Sequence, residues 1–142
     1  MKTGISIDDI AKFYNEKQEL STLGCDEYEI EKWKKYCQEY YAEKGICLVK
    51  EWTVVEVLFS DSETNLLVGL GLKEFVLNAN NVLWDSKNRW PPGSVVCSHF
   101  LSAIEENCLF ITKNTCYVLV GVGHQKSIST ALLLSIRSGL SF

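Results

Sequence analysis

Three groupings of side chains in this 142-residue chain could do chemistry. Cys97 and His99 lie two apart in a β-forming run, Val95 to Leu101. On a strand they share a face about 7 Å apart at the backbone, close enough for a thiolate–imidazole pair. No third group to orient the imidazole is visible, so a buried thiol beside a hydrogen-bonded histidine is the plainer reading. Arg89 stands between Trp84 and Trp90, four residues after Asp85. A guanidinium in that setting stacks on indole and pairs with the carboxylate, which rigidifies a loop. The same group can instead recognise a carboxylate or a phosphate. The third grouping is the segment from Gly121 to Ser127, GVGHQKS. Its backbone amides, with Lys126 and Ser127, could hold a phosphate ahead of a helix. It lacks the full P-loop pattern, and an ordinary strand-to-helix turn capped by Ser127 explains it as well. Cys97, His99, Cys108 and His124 are metal-ligand types without zinc-site spacing. No metal and no cofactor is expected.

A different kind of surface stands out earlier in the chain. Glu29, Lys32, Trp33, Tyr36, Tyr40 and Glu43 fall in an acidic, aromatic stretch with more tyrosine and tryptophan than one buried stripe needs. Such residues suit a protein interface, and these six are the candidate partner-binding set.

Helical and strand periods divide the chain into parts that must position these groups. Ser6 can cap a helix over Ile7 to Lys17, with Asp9 completing a capping box. Asp26 can cap a second helix that ends at Gly45, with Ile30, Trp33, Cys37, Tyr40 and Tyr41 as its apolar stripe. Strands are expected over Ile46 to Phe59 (irregular at Lys50-Glu51), Leu66 to Leu72, Phe75 to Trp84, Val95 to Leu101 and Leu109 to Val120. Ser60 to Asn65 reads as a turn, Asp85 to Gly93 as a loop, and Thr112 to Thr115 as a hairpin connection whose Lys113-Asn114 tip could touch a partner. A third helix is expected over Ile128 to Ser138. The fold class is α+β: one domain over 1–142, with a helical part (1–45) packed on an antiparallel meander (46–123), then a C-terminal segment (124–142).

Composition limits the function classes. Residues 1–75 carry 15 acidic against 9 basic side chains, and residues 76–142 carry 3 against 5. That balance disfavours direct nucleic-acid binding and points the acidic half toward a protein with a basic surface. No apolar run reaches the roughly 18 residues of a membrane span. The start, MKTGISIDDI, lacks a signal-peptide pattern, so a cytoplasmic setting with the six cysteines reduced is expected.

The runs DSKNRWPPGSVVCSHFL and FITKNTCYVLVGVG resemble a family of small uncharacterised proteins from bacteria and their phages, over residues 84–123. Asp85, Arg89, Trp90, Gly93, Thr112, Asn114, Thr115, Tyr117, Val118, Leu119 and Gly121 carry the resemblance. Cys97-Ser98-His99 departs from its Arg-Thr-Ser. The resemblance implies no activity, only a phage or mobile-element setting. Together these readings favour a non-enzymatic binding protein, in the manner of an anti-CRISPR or other anti-defence inhibitor that blocks a host protein sterically. The alternative is a small-ligand or nucleotide-binding domain, enzymatic or not, built from Arg89, His99, His124, Lys126 and the Gly121–Ser127 turn. A homo-oligomer is a further possibility for the assembly.

Overall fold

A computed structural model describes residues 18–140, so the helix expected over 7–17 lies outside the described residues. A short strand, β1 (Glu19–Leu20), precedes a single 3-10 turn, Glu27–Glu29, and helix α1 (Ile30–Tyr40). The Glu29 carboxylate accepts from the Asp26 N–H at 3.1 Å, so Asp26 does start the helical segment. The helix stops five residues before Gly45. Gly45 belongs instead to the next strand, and Tyr41 N–H to Cys37 O (2.8 Å) closes the last turn.

Strand β2 (Gly45–Leu58) is the axis of the sheet. Strand β3 (Phe75–Asp85) runs antiparallel to it, from Phe75 opposite Glu56 to Asp85 opposite Cys47. On the other edge, β7 (Thr115–Leu119) and then β8 (His124–Ser129) lie parallel to β2 in tandem. This mixed pairing replaces the expected antiparallel meander. A 14-residue strand has room for two successive partners, and their junction falls at its irregularity. Glu51 has φ +52°, and the inward positions change from Cys47 and Val49 to Trp52 and Val54. This change of facing keeps one face apolar across a bend, while the register with β3 shifts between Leu48 and Val49 and then runs unbroken to Glu56. The Trp52 indole then sits under Gly123 and donates to Val120 O at 3.1 Å.

The sheet curls strongly. Strands β4 (Val96–Cys97) and β5 (Ala103–Glu105) belong to one segment that reaches both edges. Its Ser98 and Leu101 amides donate to Leu77 and Phe75 of β3, while Ser102 N–H donates to Ile111 of β6 (Leu109–Ile111). The curl encloses Cys47, Val49, Trp52, Leu77, Val82, Phe110, Tyr117 and Leu119. On the outer face α1 covers one end, with Trp33 and Cys37 against Leu48, Cys116 and Val118. Helix α3 (Thr130–Leu140) covers the other, with Leu133 against Val55, Val57 and Val76.

Two further expectations change. Ser60 to Leu72 forms a helix, α2 (Asp61–Gly69), rather than a turn and a strand. Ser60 and Glu63 make a reciprocal capping box, Glu63 N–H to Ser60 Oγ and Ser60 N–H to Glu63 Oε1, which starts the helix. The strand expected over Val95 to Leu101 shrinks to two residues, because the Ser98 hydroxyl takes the Leu77 N–H at 2.8 Å.

Candidate functional site

The Asp85–Trp90 loop is held from three sides. Asp85 Oδ1 accepts from Arg89 Nη2 at 2.7 Å, and Oδ2 accepts from Arg89 Nε at 3.0 Å and from the Arg89 backbone N–H at 2.7 Å. Burial alone would raise the Asp85 carboxyl, but the Arg89 hydrogen bonds and charge win and hold it below the usual range. Arg89 Nη1 donates to Thr115 Oγ1 at 2.7 Å, and the guanidinium lies 4.5 Å from the Trp90 ring centroid. It also lies flat on Gly45, where a Cβ would stand 2.4 Å from Nη2. The loop is thus rigidified in the way the spacing of Asp85, Arg89 and Trp90 suggests.

Beside it sits the hairpin between β6 and β7. Thr112 and Thr115 pair through backbone N–H to O at 2.9 Å, and the Thr112 hydroxyl accepts the Thr115 N–H. That leaves Lys113 and Asn114 exposed at the tip. Lys44, just past α1, donates through Nζ to the Thr112 and Lys113 carbonyls, both at 2.8 Å. Tyr41 Oη donates to the Glu105 carboxylate, and burial together with that carboxylate pushes the phenol well above its ordinary value.

These elements enclose an open cleft of about 670 Å³. One wall is the end of α1 and the following turn, with Glu39, Tyr40, Tyr41 and Glu43. The other is the loop and hairpin tip, with Lys87, Arg89, Lys113 and Asn114. Glu39 and Glu43 stand on the first wall with Lys44 beside them, and Lys87, Arg89 and Lys113 on the second. Tyr40 is 63% exposed and packs at a tilt against Tyr36 with ring centroids 4.6 Å apart, so an aromatic surface leads into the cleft.

The structure divides the six interface candidates. Tyr40 and Glu43 line the cleft and Tyr36 adjoins Tyr40. Trp33 is a correction: it is 7% exposed and packs inward, because its place on the apolar stripe turns it onto the sheet. Glu29 and Lys32 pair with each other at 3.8 Å at the opposite end of α1. The alternative set does not converge. Arg89 lines this cleft, His99 lines another with Trp90, Cys97 and Arg137, and Lys126 a third with Glu19 and Glu56. His124 pairs with Leu20 and Thr53 on β8. The expected capping turn at Ser127 is also corrected: Ser127 lies inside β8 and donates to Glu56, while Ser129 caps α3 through Leu132 N–H. Burial raises the Cys97 thiol, which disfavours the thiolate form that a nucleophile needs.

Sequence reasoning missed Glu39, Lys44 and Lys87. Their shared signal is position: Glu39 lies in the last turn of α1, Lys44 just before β2 and Lys87 two residues after β3.

Residues 22–135 match the family model of a domain of unknown function, DUF6957. The chain belongs to the DUF6957 family. The DUF6957 match includes α1 and both walls of the cleft, and reaches well beyond the 84–123 stretch that carried the resemblance. No curated protein and no solved structure matches the chain. Among the described residues of this DUF6957 domain, no helix is long and apolar enough to cross a membrane.

Proposed function

We propose that the chain is a non-catalytic protein-binding domain whose recognition site is the cleft between the end of α1 and the Arg89 loop. The observation that supports this is the meeting of Tyr40 and Glu43 with Lys113-Asn114 beside an Arg89 held in place by Asp85 and Thr115. Pre-organised walls lower the ordering cost of association, and an exposed tyrosine offers contact area with little side-chain entropy to lose. Glu39 and Glu43 fit basic side chains of a partner, while Lys87 and Lys113 fit an acidic or carbonyl-rich segment beside them.

A photo-crosslinking residue placed at Tyr40 tests the reading in cells. Capture of a partner that Tyr40→Ala with Glu43→Lys no longer binds in a pull-down supports it. Equal capture by that double variant sinks it. Steric inhibition of a host defence protein, anti-CRISPR-like, is the narrower form of the same proposal. Phage plating on a defended host with and without the expressed chain tests that form: restored plating supports it and unchanged plating removes it.

A further inference from the structure

The underside of α1 carries a set of side chains that the binding reading does not use. Cys25, Cys37, Cys108 and Cys116 share one buried cluster there. Cys37 points from α1 onto β7, and its Sγ stands 2.9 Å from Sγ of Cys116. The other two flank a single residue of β7. Leu119 N–H donates to the Cys108 carbonyl and the Cys25 N–H donates to the Leu119 carbonyl, each at 2.9 Å. The N–H and C=O of one strand residue point to the same edge, so Cys25 and Cys108 are consecutive neighbours along it. Both side chains belong to the same buried cluster. The four pair rather than pool, because among the described residues no three His, Cys, Asp or Glu side chains are grouped to hold a metal ion.

We propose that this face is a thiol–disulfide site, with Cys37–Cys116 as one bridge and Cys25–Cys108 as a second, formed by exchange with a low-molecular-weight disulfide such as oxidised glutathione. One protein thiolate attacks a sulfur of the oxidant, breaking its S–S bond and releasing one glutathione thiolate. The second cysteine gives up its proton, attacks the mixed disulfide at the protein sulfur and expels the other glutathione. Two protein thiols are oxidised, one glutathione disulfide is reduced to two glutathiones, and the two cysteine protons pass to the departing thiolates.

An S–S bond needs about 2.05 Å, so Cys37 and Cys116 need roughly 1 Å of approach. Both are fully buried, and exchange therefore proceeds before α1 closes on the sheet or while it is lifted. The bridge ties positions 79 apart, a span at which a cross-link constrains the unfolded chain strongly. Cys47 and Cys97 stay as thiols. Cys47 faces the enclosed core, where burial pushes its thiol up to about 12, and Cys97 lies on β4. The bridge also pins the last turn of α1, although it stands independently of any partner.

The full chain, refolded from the reduced state in a mixture of reduced and oxidised glutathione and then alkylated in denaturant, tests the proposal by peptide mapping. Alkylation is expected at Cys47 and Cys97 only, with linked peptides 37–116 and 25–108. Dithiothreitol should then lower the urea midpoint, each bridge raising the folding equilibrium constant by roughly 100-fold. The double variant Cys37→Ser, Cys116→Ser should keep the 25–108 link and lose only its share of the reductant effect. Either pair is overturned if its members are alkylated in the oxidising buffer or are linked to other cysteines. An identical midpoint with and without reductant overturns both.

Discussion

The Asp85 carboxylate has no exposed surface, yet it stays ionised because three hydrogen bonds from Arg89 replace the water it lost. Removing one member of such a pair leaves the other uncompensated, so Asp85→Ala should cost about 3 kcal/mol in urea unfolding. Arg89→Lys should recover little of the function of Arg89, since an ammonium cannot span both carboxylate oxygens and Thr115. The pH dependence follows from the lowered Asp85 value. A depressed folded-state pKa contributes stability that is present above the unfolded value, about 3.9, and lost as pH falls through the folded one. The urea midpoint of the native chain should therefore fall as the medium is acidified below about pH 4, and Asp85→Asn should flatten that limb. An equally steep limb in the variant would assign the acid sensitivity to other carboxylates. The Asp85–Arg89–Trp90 part of this arrangement was legible in the sequence because it is local. Its contacts with Gly45 and Thr115 come from other strands and leave no local trace. Trp33 shows the opposite failure: its stripe position foretold burial, but its residue type invited an interface role.

Strand β2 shows what spacing could and could not reveal at the level of elements. The Lys50-Glu51 break was visible as polar residues inside an apolar run. Its purpose was not, because the junction of β7 and β8 that it meets lies about 70 residues away and parallel pairing carries no sequence signal of its own. Gly123 and Gly69 differ in equally physical terms. Gly123 touches the Trp52 ring so closely that an added Cβ would stand 2.2 Å from it, and Trp52 is wholly buried. Gly123→Ala should therefore destabilise by about 2 kcal/mol, the range of overpacking. Gly69 closes α2 with nothing within 4 Å of its would-be Cβ and no left-handed backbone. Gly69→Ala should stabilise by about 0.5 kcal/mol. Chemical denaturation of the two variants side by side checks both signs, and a neutral Gly123→Ala would show that the Trp52 ring can move aside. The run Ser60-Asp61-Ser62-Glu63 has the composition of a turn and also the Ser-x-x-Glu spacing of a capping box, and the α2 helix follows the second.

At the scale of the whole molecule, stability is distributed unevenly. The enclosed core is bounded by β2, β3, β6 and β7, while α1 and α3 each bury one face on the outside of the curl. Helix α2 buries none of its residues, and Leu58, Leu66, Val68 and Leu70 around it are 59–72% exposed. Native-state hydrogen exchange should sort accordingly. Amides of β2, β3 and β7 should exchange only through global unfolding, and those of α2 through local opening at low free energy. Limited proteolysis should cut first within α2, leaving a nicked but folded remainder. The concentration dependence of that exchange is the sharper measurement. Protection of α2 that stays constant across dilution fits a monomer whose second helix is a surface turn. Protection that climbs with protein concentration means that a second copy covers Leu66, Val68 and Leu70, since nothing among the described residues does. An apolar patch of this kind on a C2 dimer would meet itself, so Leu66→Lys would then oppose two like charges and abolish the rise without unfolding the core. The cleft beside Arg89 lies on other elements, so partner capture through Tyr40 should survive the same substitution.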